Sequence, residues 1–349
     1  MKVIKVTFLG MLLHCGIAAQ QPVSQVQEVQ TITLNEQAPG TRQHYWLRVG
    51  SDMFGRSIAV PLIVLKGSKP GNVMGITAAI HGNELNGIPV IHQLLQEIDP
   101  QALKGSIIAV PGMNPIGMLN NNRTFFDGED LNRVFPGKEN GNEAQQLAHV
   151  LGNRLLEVLD FHLDLHTASF GRVNSLYARA DLNDDTLAFM AKSLKPDIIL
   201  NSKEASAGAR TSGTFREMAL TRNIKSITLE MGDPQVFNRE LIDRGVSGIK
   251  NLLTAYGFIS GTELPNGPQV ICERSYWIYT QSGGILEVAV EVGQMLKKGE
   301  VIGVLKDPFG TIRDTYFAPS DGVVIGKSTN PTALSGARIL HLGILQKTN

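Results

Sequence analysis

A buried, β-branched run that stops on a histidine and restarts as an amphipathic helix leaves a chain few folds to choose from. Val73 to Ile80 is such a run, set off by Pro70 and Gly71, and it ends at His81. Gly82 and Asn83 supply a turn, after which Ile88, Val90, Ile91, Leu94, Leu95 and Ile98 recur at helical spacing. Ser57 to Val64 is a second apolar strand upstream. The alternation continues with a short strand at Ser106 to Val110, a helix over Asn142 to Leu159 and a strand from Phe161 to His166. Strands at Asp197 to Leu200 and Ile224 to Leu229 follow, then a closing helix from Leu241 to Tyr256. This order predicts an α/β fold with a mixed, mostly parallel sheet flanked by helices. In such sheets ligands bind at the carboxyl ends of strands, where His81 and His166 both fall.

Past Gly257 the texture changes. A Gly/Pro-containing linker (Gly261 to Gln269) leads into short β-branched runs such as Ile285 to Val292, Val301 to Leu305 and Gly322 to Ile325. A chain of 349 residues also exceeds what one core usually organises. The expectation is therefore a catalytic domain over 21–260 and a separate all-β domain over 261–349. Two runs in the latter, VGQMLKKGEVIGVL and APSDGVVIG, resemble half-repeats of biotinyl/lipoyl carrier barrels, but no modifiable Lys sits at a hairpin tip, which argues against a carrier role.

The first twenty residues read differently again. Lys2 and Lys5 precede an apolar run from Val6 to Ala19, too short for the roughly 20 residues of a spanning helix and followed by a small-residue cleavage site around Ala18 to Gln20. A signal peptide over 1–20 implies a periplasmic or secreted protein that is not integral to a membrane; Gln20 to Gln43 would be a polar lead-in or an edge strand. Without the leader Cys272 is the one remaining thiol, so no intramolecular disulfide forms, and it is expected to be a buried small hydrophobe. With 32 basic and 32 acidic residues, nothing points to a nucleic-acid partner.

Catalytic zinc takes three protein ligands from His and carboxylate side chains and keeps one position open. HGNE supplies His81 and Glu84 within one turn, and FHLDLHT offers His162 and His166. Strand alternation puts both on one face, so only His166, at the carboxyl end, reaches the rim shared with His81. Glu230, in SITLEMG, lies at another strand end without an obvious Lys or Arg partner in that strand. It reads either as a general base near the metal or as a surface carboxylate on the loop from Gly232. The loop NNRTFFDGEDLNRVFPG holds Arg123 and Arg133, whose planar forks suit a carboxylate, and Asn132 adds a neutral donor. By itself that loop could equally be a solvated segment pinned by its aromatics.

Taken in order, HGNE (81–84), MNP (113–115), DLNR (130–133), DLHT (164–167) and LEMG (229–232) resemble the succinylglutamate desuccinylase/aspartoacylase family of the zinc carboxypeptidase superfamily, a likeness running from about Gly50 to the C-terminus. The resemblance implies one zinc per chain held by His81, Glu84 and His166, Glu230 as general base and acid, and Arg123 as the group that stabilises the oxyanion. It also implies Asn132 and Arg133 as the clamp on a substrate carboxylate, with Asp130 or Asp164 orienting a ligand histidine. An Arg ahead of the base and a Tyr from the β domain are expected too, with Arg210, Arg216 and Arg222 competing for the first and Tyr276 and Tyr279 for the second. The implied reaction is zinc-dependent hydrolysis of a small N-acyl amino acid or related carboxylate-bearing amide. A periplasmic metallocarboxypeptidase acting on short or cell-wall peptides is the rival enzyme, and a catalytically silent binding module the rival from another class. An iron oxygenase shares the two-histidine, one-carboxylate set but would bring a pattern absent here. The acyl group, and whether the chain forms a homo-oligomer, stay open.

Overall fold

The computed structural model describes residues 26–202, 213–265 and 267–346. The expected leader over 1–20 and Arg210 lie outside them. The apolar runs form strands and the 3.6-spaced runs form helices. β1 (Gln27–Val29), β2 (Thr41–Ser51), β3 (Ser57–Lys66) and β4 (Lys69–Ala78) lead to α1 (Gly87–Glu97), then β5 (Lys104–Val110) and the short α2 (Pro115–Leu119). After α3 (Glu143–Leu156) come β6 (Phe161–His166), β7 (Arg172–Asn174), β8 (Leu176–Ala180), α4 (Asp185–Ser193) and β9 (Ile198–Asn201). α5 (Phe215–Thr221), β10 (Lys225–Met231) and α6 (Arg239–Ala255) complete the α/β layer.

One sheet runs β1-β2-β3-β5-β4-β6-β10-β8-β9 through that layer. Its centre is parallel: β5, β4, β6 and β10 all point the same way. Helices cover both faces. On one, Val90, Ile91 and Leu94 of α1, Met190 of α4 and Ile249 and Leu252 of α6 pack over Met74, Ile76, Leu163 and Leu165. On the other, Leu147, Leu151 and Leu155 of α3 and Phe215 of α5 pack over Leu62, Val64 and Ile108. Each such side chain contributes about 1.5–3 kcal/mol by leaving water. The strands and helix between 172 and 193 were not foreseen. β8 runs antiparallel to β10, as β3 does to β2 and β5, so the sheet is mixed; the five-residue β8 between turns carries too little periodicity to be read in the sequence.

The C-terminal strands continue the same sheet. β11 (Val270–Tyr279) pairs in parallel with β9 and, further along, antiparallel with β18 (Arg338–Leu345). Next come β16 (Gly322–Ser328) and β13 (Met295–Leu296), while β7 also pairs with β16. A second, antiparallel sheet is built from β12 (Gly284–Val288), β14 (Val301–Lys306), β15 (Ile312–Phe317) and β17 (Thr332–Ala333), with its own core around Leu286, Ile302, Leu305 and Leu340. The segment from 261 onward thus has a separate core yet shares a hydrogen-bonded ladder with the α/β layer. That ladder covers β9, which would otherwise be an open edge. At the junction Cys272 is fully buried with Tyr177, Ile198, Leu200, Val323 and Ile325. Among the described residues no helix is long and apolar enough to cross a membrane.

Burial raises the Cys272 thiol pKa to about 12, so at neutral pH it is an unreactive thiol. In a chain starting at residue 26, where it is the sole cysteine, a disulfide reagent should label less than one tenth of it in native buffer and all of it in denaturant. Fast labelling of the native protein would show that the two layers are not packed together.

Candidate active site

The strand-to-helix turn after β4 is built by a backbone that leaves the strand sharply. Ala79 has φ 55°, a left-handed conformation that costs a non-glycine residue about 1–3 kcal/mol. It is held there because the amides of Met113 and Asn114 donate to the carbonyls of Ala78 and Ala79 (3.0 Å each) and Asn114 Nδ2 donates to Ile80 O (3.3 Å). The MNP segment is therefore the brace of the HGNE turn. Gly82 completes it: a Cβ there would stand 2.0 Å from the carbonyl carbon of Gly117 on α2.

That turn places His81 and Glu84 beside His166, which ends β6. One ligand atom from each lies within 4.8 Å of the others, and all three residues are buried. Glu84 sits at the centre. His166 Nδ1 is 2.9 Å from its Oε2 and His81 Nδ1 is 3.0 Å from its Oε1. The latter is out of line for a hydrogen bond and leaves that nitrogen buried without a partner. Each imidazole also presents its other nitrogen to a carboxylate: His81 Nε2 to Asp130 (3.0 Å) and His166 Nε2 to Asp164 (2.9 Å). Both Asp residues orient a histidine, where the sequence left a choice between them. Thr77 fixes Asp164 in turn, donating to its Oδ1 (2.7 Å).

This wiring tests whether a metal suits the site. A neutral imidazole has one N–H, yet both nitrogens of each ring face carboxylate oxygens, so each ring needs a further positive centre on its Nδ1 side. Glu84, Asp130 and Asp164 against the single guanidinium of Arg123 leave two negative charges, which a divalent cation balances. Two imidazole nitrogens and one carboxylate, with carboxylates behind the rings, are the donors that zinc accepts in catalytic sites. The pKa pattern has the same origin. Burial alone would raise Glu84, but the facing His81 and His166 hold it well below the usual carboxylate range. Burial would lower His166, but Asp164 and Glu84 raise it well above its ordinary value.

The other expected residues stand around this cluster. Arg123 donates to Glu84 (2.8 Å), to Asp130 (2.9 Å) and to Ser169, so its guanidinium lies directly on the ligand set. Glu230, at the end of β10, is in register with His166 on β6, one strand spacing of about 4.8 Å away, and opens onto the cavity. Burial pushes its carboxyl pKa up, and the like charge of Glu84 adds to this against the pull of His166. Asn132 and Arg133 both line the cavity. The Asn132 Oδ1 accepts from Phe215 N (2.8 Å), leaving its amide N–H groups as what it can offer, and Arg133 donates to Asn132 O (2.6 Å). His162 stays out of the cluster, buried between Thr77 and Ser226, with burial lowering its pKa to about 4.

Several lining residues escaped the sequence. Asn174 donates to Glu230 Oε2 (3.1 Å), and Tyr177 stands opposite Glu230 across β8 and β10. Of the competing arginines, Arg216 lines the cavity, whereas Arg222 donates to Gly152 O and Asn153. Neither Tyr276 nor Tyr279 lines it; Tyr276 bonds Ser320 and Tyr279 is exposed, whereas Trp277, next to Tyr276 and so on the other face of β11, does line it.

With that geometry in view, comparison with known proteins decides the lineage. Residues 70–256 match the succinylglutamate desuccinylase/aspartoacylase catalytic domain. The chain belongs to this family. It is 26% identical over 333 residues to the N-alpha-acetyl-L-2,4-diaminobutyric acid deacetylase of Halomonas elongata, covering 88% of this chain and 93% of that protein. It is likewise 26% identical over 259 residues to a succinylglutamate desuccinylase of Pseudomonas aeruginosa, covering 68% and 70%. Among solved structures, an aspartoacylase family protein from Mesorhizobium loti superposes with a TM-score of 0.76 at 25% identity, over 91% of this chain and 98% of that one. The product-bound ectoine utilization protein EutE (DoeB) from Ruegeria pomeroyi shares the fold with a TM-score of 0.80 at 21% identity, over 90% and 98%.

If the HGNE turn is set by contact with α2, Gly82→Ala should lower zinc affinity at least about tenfold, the usual cost of displacing a ligand's support, with little change in circular dichroism. Competition with a chromogenic chelator measures it, and unchanged affinity would show that the turn tolerates a side chain.

Proposed function

We propose that this family member is a zinc-dependent deacylase that hydrolyses the amide bond of a small N-acyl amino acid. The observation that carries the reading is the convergence of His81, Glu84 and His166 with Glu230 one strand away. The relatives' activities, deacetylation and desuccinylation, support it. His81, Glu84 and His166 would hold the ion, which supplies a Lewis acid for the amide carbonyl and lowers the pKa of water toward about 7.

The chain's own groups do the rest. Arg133, with the Asn132 amide beside it, grips the substrate's free carboxylate and so sets the amide at the cavity end where Glu230 waits. Glu230 takes a proton from the attacking water as its oxygen bonds to the carbonyl carbon. Arg123 faces the oxygen that gains negative charge. Glu230 then passes its proton to the amide nitrogen as the carbon–nitrogen bond breaks, releasing a carboxylic acid and an amine. A carboxyl whose pKa is raised by burial suits both halves, accepting and returning the proton. The Asn174 bond holds it in aim.

Glu230→Gln should retain one zinc per chain while kcat falls by about 100- to 10,000-fold, the range of general acid–base catalysis. Metal analysis and turnover on the same preparation read both numbers, and near-normal turnover would remove Glu230 from the chemistry. Dialysis against a chelator should abolish hydrolysis of N-acyl amino acids, and stoichiometric zinc should restore it. A panel of N-acyl amino acids against dipeptides and cell-wall peptides separates deacylase from carboxypeptidase; preference for the peptides would replace this reading.

A further inference from the structure

Behind the catalytic cluster, inside the sheet, lies a polar row that the reaction above does not use. His162 and Asp164 alternate with the residues between them along β6 and so share the face of His166. Across the ladders Ser226 of β10 stands opposite His162, and Thr77 of β4 stands opposite Asp164. All four are buried, His162 completely. The His162 ring packs against Phe215 of α5, with centroids 5.0 Å apart and planes 82° from parallel. Its Nδ1 meets Ser226 Oγ at 2.7 Å and its Nε2 meets Thr77 Oγ1 at 2.9 Å. Thr77 Oγ1 is in turn 2.7 Å from Asp164 Oδ1, and the other oxygen of that carboxylate faces His166 Nε2 at 2.9 Å.

Polar groups this deep are costly unless each finds a partner, and here the partners fix every proton. An ionised Asp164 only accepts, so Thr77 spends its one hydroxyl proton on it. Thr77 can then only accept from His162, which places the ring proton on Nε2. A neutral ring with its proton there has a lone pair on Nδ1, so Ser226 donates to it. Burial keeps the ring neutral: with the positive charges of His166 and Arg216 it outweighs the pull of Asp164 and lowers the pKa to about 4. The donors therefore run one way, from Ser226 to His162 to Thr77 to Asp164. In such a chain each hydrogen bond polarises and strengthens the next.

We propose that His162 is a positioning residue: through Thr77 it holds the Asp164 carboxylate as an acceptor, which keeps the proton of His166 on Nε2 and its Nδ1 lone pair turned to the metal position. The chain also limits how far Asp164 can draw on His166. A carboxylate already answered by Thr77 pulls the Nε2 proton less strongly, so the ring stays a neutral ligand and pushes less charge onto the ion. That consequence for the reaction rests on the zinc-dependent deacylase reading; the direction of the chain stands on the hydrogen-bond geometry alone.

Long-range proton–nitrogen correlation spectra of the imidazoles, recorded with and without zinc between about pH 6 and 9, read the direction without any turnover. The His162 signals, assigned by their loss in His162→Gln and their movement in Ser226→Ala, should be those of the neutral Nε2–H ring throughout. A proton on Nδ1, or a ring that becomes charged in this range, overturns the chain. In turnover, zinc-saturated Thr77→Val keeps the shape and removes the hydroxyl. It should move the acid limb of the kcat/KM profile for N-acyl amino acids upward by about half a pH unit or more, since Asp164 then draws the His166 proton harder and the attacking water gives up its own at higher pH. Thr77→Ser, which restores the hydroxyl, should return the limb to its place. His162→Leu, which cannot donate to Thr77, should move it the same way, and His162→Gln, whose amide can, should move it less. A limb that stays put in Thr77→Val, or moves there but not in His162→Leu, overturns the positioning role. A neutral Nε2–H ring in a protein that cleaves no N-acyl amino acid supports the chain while overturning the deacylase reading.

Discussion

Everything at the catalytic centre is arranged around the carboxylate of Glu84. It is buried at 2% exposure, and His81, His166, Arg123, Ser169 and the Thr167 amide all approach its two oxygens. A carboxylate so deep in protein is tolerable only if its charge is answered on every side. The same is true of Asp164 behind it, held at a pKa of about 2 against its own burial by the His166 ring and the Thr77 hydroxyl. The cluster is thus a set of buried charges whose remaining negative charge a divalent cation at its open face would balance.

Such a cluster needs a rigid frame, and the frame is the parallel centre of the sheet. β4, β6 and β10 run side by side, so His81, His166 and Glu230, near their carboxyl ends, arrive at one rim without long loops. Strain is placed where it aims a ligand: Ala79 adopts its left-handed conformation one residue before Ile80 and two before His81, and the 113–114 backbone locks it. The glycine after His81 lets the turn press against α2, a contact any side chain would block.

The C-terminal strands do more than cover an edge. Through β7 and β16 they hold the strand that carries Asn174 and Arg172, and through β11 and β18 they bring Trp277, Arg338 and His341 to the cavity. One part of the cavity is therefore built by the α/β layer, while Trp277, Arg338 and His341 in the other come from residues more than 90 positions further along the chain than β8. A division of this kind lets the reacting groups stay constant while the far wall sets what fits.

How much of this could be read in advance follows from the range of each signal. Strong periodicity made β4, α1, β6, β10 and α6 legible, and the ends of those strands made His81, His166 and Glu230 legible with them. The short β8 and the three-residue β7 carried too few residues to register, so Asn174, Tyr177 and Arg172 went unseen. Neither tyrosine of the β segment lines the cavity: alternation along β11 sets Tyr276 on the face opposite Trp277, and Tyr279 lies past an irregularity in the ladder to β18. By itself the sequence determined the α/β class and singled out His81, Glu84, His166 and Glu230 as residues at strand ends that the structure brings together, since these depend on local periodicity and residue chemistry. Only the tertiary structure decided the joined sheet, the bracing of each histidine by its own aspartate and the arginine-lined far wall, since those depend on which distant strands become neighbours.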